Sequence, residues 1–349
     1  MNHSFNDIVI SGWSAITVAG TGIDPLLALV RSGRDALSPV PGDLAGSDGY
    51  RWGKAHGFKA TDFIPPLKAR KMDRCSQFAV AAAGLALKDA GIDPGQMDPE
   101  RIGIALGCGF GGLANSAEFL GGYFSQGVEG LAPMLFPNTV SNAPASNASI
   151  EFGLKGPNIT LVQRFCSAET ALLSACRFIV EGRADVMLAG GVDDLIPLMI
   201  QVFKATGQLR RYASCFGEGS GMLVLESAAH AARRGGAVKG SLLSVASIGL
   251  LVPGREREGL KRLIDADSED TLVSLSGTAR DMPLIQDYVS GREIIEIEPV
   301  VGRSLAMGGT GMAALMASLG AGRIGLHLAA SPEGPYYAVS FRGGPPVQP

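Results

Sequence analysis

Residues 156–194 read GPNITLVQRFCSAETALLSACRFIVEGRADVMLAGGVDD. The stretch opens on Gly156-Pro157 and carries a short β-branched run, ITLV, at 159–162. A segment with helix-like periodicity follows over 168–181, and VMLAGG at 186–191 closes it, apolar on both faces. A buried strand, a helix and a second buried strand argue for parallel pairing under helical cover. Working outward, IVIS (8–11), IGIALG (102–107) and GMLVLE (221–226) also read as strands, and residues 76–90 as a helix. From Gly240 a second set, LLSVASI, TLVSLSG, EIIEIEP, IGLHLAA and YYAVSF, with a helix over 311–319, repeats the first in miniature. A helix ending ESAAHAARRGG (226–236) lies between the sets. The pattern predicts a pseudo-duplicated, layered α/β chain with halves 1–235 and 236–349, joined without a linker into one unit.

Composition narrows the function classes. The 30 Lys+Arg against 33 Asp+Glu give a net charge of −3, which excludes a basic nucleic-acid footprint. With 46% hydrophobic residues the chain is not disordered, and 48 glycines with only 6% aromatics favour tight turns and close helix–sheet packing. Cys75, Cys108, Cys166, Cys176 and Cys215 form no disulfide framework and no C-x-x-C metal spacing, so a reducing compartment and no metal are expected. The start, MNHSFNDIVIS, lacks the basic-then-apolar order of a signal peptide. The uncharged run 304–322 is diluted by five glycines and reads as a buried helix with a glycine-rich start rather than a membrane span. A soluble cytoplasmic protein is expected. Gly107-x-Gly109-x-x-Gly112 formally matches a dinucleotide fingerprint, but no second strand ending in an acid follows at the required distance. It reads as a glycine-rich strand exit.

The 156–194 stretch resembles the β-ketoacyl synthases of the thiolase-like superfamily. DIVISGWSAITVAGTGIDPLLALVRSGRDAL, KARKMDRCSQFAVAAAGLALKDAGI, FPNTVSNAPASNASIEFGLKGP and FGEGSGMLVLESAAHAARRG resemble further segments of the same family, in the same order. The resemblance covers nearly all of residues 6–236. It implies the thiolase-like α/β/α/β/α layered fold, here with a shortened C-terminal half.

The family's chemistry uses a cysteine thiolate to take an acyl group from a carrier protein. Two imidazoles stabilise the enolate and oxyanion, and a lysine supports them. In the family the nucleophile sits nine residues after the Gly of Gly-Pro, and counting from Gly156 reaches Phe165. Cys166 is one place late, and one residue at a helix start turns a side chain by about 100°. The segment matching N-A-H-G-T is Ser274-Leu275-Ser276-Gly277-Thr278, with Ser276 in the first histidine's place. The segment matching K-S-M-T-G-H is 298–303, with Glu298 for the lysine and Arg303 for the second histidine. The four histidines, His3, His56, His230 and His327, lie outside both motifs. SPEGPYYAVSF (331–341) replaces the family's gating loop.

The resemblance therefore implies no catalytic residue, with Phe165, Ser276, Glu298 and Arg303 as degenerate positions and Cys166 as the alternative nucleophile. It implies no cofactor. The implied role is that of a chain-length factor: a silent subunit paired with an active homologous ketosynthase in a type II polyketide or polyene pathway, meeting acyl carrier protein through that partner. Candidates for the tunnel and the subunit interface are Phe110, Phe119, Tyr123, Phe136, Asn138, Asn142, Ile159 and Leu161. Two other readings stay open, a Cys166-dependent acyltransferase and a residual malonyl decarboxylase using Ser276 or Arg303. Arg303 and Glu298 are expected to pair, because an unpaired buried guanidinium is costly. His327 reads as a core histidine.

Overall fold

The structure, a computed structural model, describes residues 2–45, 49–209, 215–264 and 271–345. Its main sheet has twelve strands. Ten of them form one continuous path: β1 (Ile8–Thr17), β2 (Ile102–Cys108), β3 (Asn158–Leu161), β4 (Val186–Asp193), β5 (Gly219–Ser227), β6 (Gly240–Ile248), β7 (Leu272–Gly277), β8 (Ile294–Ile295), β9 (Ile324–Ala330) and β10 (Tyr336–Gly343). Their spatial order is β8-β7-β9-β10-β6-β1-β5-β4-β2-β3.

That order contains the duplication. Read from the central β6–β1 junction outward, one side runs β1-β5-β4-β2-β3 and the other β6-β10-β9-β7-β8, the same permutation of five strands. The directions match as well. β2 is parallel to β3 and β4, while β5 is antiparallel to β4 and β1. Likewise β7 is parallel to β8 and β9, while β10 is antiparallel to β9 and β6.

The helices needed here are α1 (Arg74–Asp89), α2 (Leu113–Gln126), α3 (Ala143–Phe152), α4 (Ser167–Val180), α5 (Ala228–Arg233), α6 (Glu298–Val301) and α7 (Gly308–Ser318). The layers follow from the period-two alternation of strand side chains. Ile102, Ile104 and Leu106 of β2, with Val186 and Leu188 of β4, pack on the alanine-rich face of α1. Ala105, Met187 and Ala189, between them in sequence, face α4 and α7. In the second half Leu272, Ala329, Val339 and Phe341 join that central cluster, while Val273, Leu275, Leu326 and Leu328 pack under outer helices. The result is helix, sheet, central helices, sheet, helix. Each fully buried Ile or Leu contributes roughly 1.5–3 kcal/mol of transfer free energy.

α1 starts where Asp73 accepts a hydrogen bond from Ser76 N at 2.8 Å, an N-cap that the run of alanines then extends. α7 is buried on every side; its glycines let it sit against β5, β1 and β4 of one half and β7 and β9 of the other. The glycine-rich start at 304–311 is thus a close-packing device. No helix among the described residues is long and apolar enough to cross a membrane.

Two sequence expectations need correction. The run EIIEIEP yields only the two-residue β8 before the chain turns into α6, because Pro299 has no N–H for the ladder and suits a first helical turn. The helix expected over 226–236 is the six-residue α5; Glu226 and Ser227 still belong to β5, and Ser227 caps the helix by accepting from His230 N.

Candidate functional site

The four positions matched to the family's catalytic residues gather near the N-termini of α4 and α7, the equivalent central helices of the two halves. The chain leaves β3 through Gln163 and Arg164 and turns sharply into α4. Ser167 fixes that turn: its Oγ accepts from Gln163 N at 2.9 Å and donates to Arg164 O at 2.7 Å. The turn aims Phe165 inward, where it is 1% exposed and packs in a cluster with Leu195, Phe203, Phe216 and Leu305. Gly277, at φ 63°, ends β7 against this ring; a Cβ there would stand 2.9 Å from Phe165 Cβ and strike Ala330 O.

Cys166 points elsewhere. It is fully buried in the central core, and its Sγ donates to Pro335 O at 3.2 Å. Burial first, and the Glu169 carboxylate second, push its thiol well above the ordinary range. A thiol so held is a poor source of thiolate.

Ser276 sits at the end of β7 with its hydroxyl already committed. Its Oγ donates to Glu169 Oε1 at 2.7 Å and lies 3.2 Å from His327 Nε2. His327 Nε2 is 2.8 Å from the same Glu169 oxygen, and Ser274 Oγ is 2.7 Å from His327 Nδ1. The carboxylate accepts at Nε2, so that nitrogen carries a proton and the Ser274 hydroxyl is the partner of Nδ1. All four residues are buried. Glu169 sits in the first turn of α4 and abuts Gly308 at the start of α7, so two helix N-termini face one carboxylate. A side chain at 308 would collide with Glu169 Oε1.

The second polar cluster is Arg303 with Glu298 and Asp281. Arg303 is fully buried; Nη2 is 2.7 Å from Glu298 Oε1 and Nη1 is 2.7 Å from Asp281 Oδ2. Burial pushes the Glu298 carboxyl up and Arg303 opposes that shift. The Arg303 carbonyl accepts from Gly217 N at 2.8 Å, which ties the ion pair to Phe216 of the cluster around Phe165.

Beside it lies an acidic pair that ends β4. Asp193 accepts from Gly109 N and Ala306 N, both at 2.7 Å, yet burial pushes its carboxyl up to about 6. Asp194 goes to about 8, through burial and then the neighbouring Asp73, Asp193 and Glu218. Both line a cavity of about 10 Å³ with Phe110, Arg303 and Leu305, room for about one water molecule.

The structure thus brings Phe165, Ser276, Glu298 and Arg303 into one buried region and leaves Cys166 behind it. The tunnel and interface candidates do not form one group. Phe110 turns inward, 5.7 Å from the Phe203 ring. Phe119 on α2 meets Phe136, which is 63% exposed, with ring centroids 5.8 Å apart and the rings tilted, and Tyr123 is half exposed on the same helix. Asn138 is engaged, donating to Lys71 O and accepting from Asn147; Asn142 is exposed at the start of α3 and caps nothing. Ile159 and Leu161 lie on β3, partly buried against the central core. Glu169, Asp193, Asp194 and Asp281 escaped the sequence reading. The available signal was an acid in the first turn of an apolar helix and an acidic pair closing an apolar strand.

Among the described residues the Cys166 thiol is hydrogen-bonded to the Pro335 carbonyl rather than to a base, and the buried His327 imidazole is bonded to Glu169, Ser276 and Ser274. Among the described residues no cluster of three or more His, Cys, Asp or Glu is placed to hold a metal ion.

Comparison with known proteins gives the family and the fold. The model of the β-ketoacyl synthase N-terminal domain matches residues 5–231. The 3-oxoacyl-[acyl-carrier-protein] synthase 2 of Synechocystis sp. is 28% identical over 257 residues, 68% of this chain and 62% of that protein. The chloroplastic 3-oxoacyl-[acyl-carrier-protein] synthase I of Arabidopsis thaliana is 27% identical over 65% of this chain and 53% of its own length. The aligned stretch therefore spans less than two thirds of either relative. Among solved structures, the ishigamide ketosynthase/chain length factor superposes with a TM-score of 0.81 at 23% identity, covering 97% of this chain and 99% of the other. The AntDE:AntF complex, a type II polyketide acyl-carrier protein with its ketosynthase bound to the hexaketide, gives 0.81 at 20% identity over 96% and 99%. At these identities the likeness is one of fold.

Proposed function

We propose, on the premise that this chain belongs to the β-ketoacyl synthase family, that it is a non-catalytic, chain-length-factor-like subunit. It pairs with an active ketosynthase and shapes the space in which that partner's acyl chain grows. The observation that carries the reading is Phe165. An apolar ring fills the place at the head of α4 where the family tethers acyl groups, buried among Phe203, Phe216 and Leu305.

The surrounding groups support it. Condensation needs a thiolate, a donor pair for the thioester oxygen and a route for the carrier's acyl arm. Here the Ser276 hydroxyl is spent on Glu169, and the Arg303 guanidinium is held between Glu298 and Asp281. Cys166 is sealed and held as a neutral thiol, which disfavours the acyltransferase alternative.

The pairing surface is the open edge of β3 together with the apolar side chains around α2. Phe124 is 80% exposed, and Val128, Met134 and Phe136 are all more than half exposed. Such a patch marks an interaction site more often than bare surface.

The test is reconstitution. The isolated chain, given malonyl- and acyl-carrier protein, releases no carbon dioxide and forms no covalent adduct. Co-expressed with a cysteine-bearing ketosynthase from the same genome, it forms a stable heterodimer whose product length shifts when Phe119 or Phe136 is changed. Carbon dioxide release by the chain alone would favour the decarboxylase reading. A stable homodimer that ignores the ketosynthase would end the proposal.

A further inference from the structure

Arg164 has φ 50°, and it is the one described residue other than glycine with a positive φ. An L residue in the left-handed region carries strain that glycine escapes. The turn does not need the arginine. The bonds that set it run from Ser167 Oγ to the backbone of residues 163 and 164, so a glycine at 164 keeps the same bonds and the same inward aim of Phe165. What the arginine adds is its side chain.

That side chain is exposed, and among the described residues no carboxylate is in ion-pair contact with it. It also stands at a specific place. β3 is the strand at one end of the sheet and, among the described residues, pairs only with β2. In that ladder Ile104 N donates to Pro157 O and Ile104 pairs with Asn158, which turns the N–H and C=O of Asn158 and Thr160 outward. Val162, 53% exposed, lies between this open edge and Arg164. A short open edge with a strained, unengaged cation at its end has the form of a docking edge with an anchor.

We propose that Arg164 is the anchor by which this edge grips the homologous ketosynthase subunit, its guanidinium forming a two-pronged contact with a carboxylate on that subunit. The inference rests on the paired-subunit reading above. Strain in the free chain is retained because the side chain is used in the complex.

The test reads two quantities in opposite directions. Arg164→Gly raises the melting temperature of the isolated chain. The same change weakens its complex with the co-expressed ketosynthase by about tenfold or more, as expected when a charge-assisted bidentate contact is lost. Arg164→Lys keeps the charge but not the fork, and falls between. An Arg164→Gly complex as tight as the unsubstituted one overturns the proposal, as does a melting temperature that falls. Thr160→Pro removes an outward N–H and leaves the β2 ladder intact, so it tests the edge by itself. If Thr160→Pro loosens the complex and Arg164→Gly does not, the edge pairs and only the anchor is refuted. If neither loosens it, the edge is not the interface and the paired-subunit surface is misplaced.

Discussion

The Arg303 guanidinium lies 2.7 Å from the carboxylate of Glu298, five residues earlier in the chain, and both are buried. The sequence matching puts a histidine and a lysine of the ketosynthase family at these two positions. A neutral imidazole beside a cation can polarise a thioester, whereas a guanidinium clamped by two carboxylates, Glu298 and Asp281, is already neutralised. The pair fills the region and ties α6 to the segment around Phe216.

Breaking this pair from one side leaves an uncompensated buried charge, at a cost of about 3–5 kcal/mol. Arg303→Met is expected to destabilise the chain by about that much in urea titrations. The Glu298→Met, Arg303→Met double variant is expected to lose much less, because no buried charge is left behind on Glu298. Additive losses would show that the two side chains do not act as a unit.

A thiol placed at position 165 is not expected to take up an acyl group. Phe165→Cys empties part of an aromatic cluster and is expected to cost about 3 kcal/mol of stability. It also places a thiol where no imidazole can take its proton. Intact-protein mass spectrometry after incubation with acyl-carrier or acyl-CoA donors should show no acyl adduct on this variant, and none on Cys166 of the unsubstituted chain. An adduct removed by Cys166→Ser would revive the acyltransferase reading.

The fold was legible in the sequence wherever strands were buried on both faces, because β2 and most of β4 are uninterrupted apolar runs that begin after a charged residue. It was less legible at β8, where Pro299 diverts an apolar run into a helical turn, and at 226–236, where the Ser227 cap starts the helix at Ala228, two residues later than expected. The place of Phe165 at the head of α4 was legible by counting, since Gly156-Pro157 and the VMLAGG strand fix its register between them. The polar groups around Ser276 were not legible. Glu169 and His327 are 158 residues apart and meet because α4 of one half and β9 of the other reach the same buried site. His327 looks from its strand like a satisfied core histidine, and it is one, but its partner carboxylate comes from the other half.

That cross-half contact is itself testable. His327→Leu removes a donor from Glu169 Oε1 and the acceptor of Ser274, leaving a buried carboxylate with the Ser276 hydroxyl alone. A loss of about 3 kcal/mol is expected, most of it from the stranded charge. The Glu169→Gln, His327→Leu double variant should recover part of it. Equal losses in the single and double variants would place the cost in packing instead.

The acidic pair closing β4 sets the pH response. Asp194 is raised from 3.8 to about 8, by burial first and then by Asp73, Asp193 and Glu218, and Asp193 is raised to about 6 by burial. A carboxyl whose folded value lies above its unfolded value binds its proton more tightly in the folded state. Its favourable contribution is complete below the unfolded value and is lost as pH rises through the folded one. The window for Asp194 therefore runs from pH 3.8 to about 8, at about 1.4 kcal/mol per unit before relaxation reduces it. The chain should melt at progressively lower temperature as the buffer is taken from acidic to mildly alkaline. Asp194→Asn cannot ionise, so its melting curve should be flatter over that range and should cross above the unsubstituted chain near its alkaline end. Thermal melts of both proteins across the window decide it, and parallel curves would mean that Asp194 titrates as an ordinary surface carboxyl.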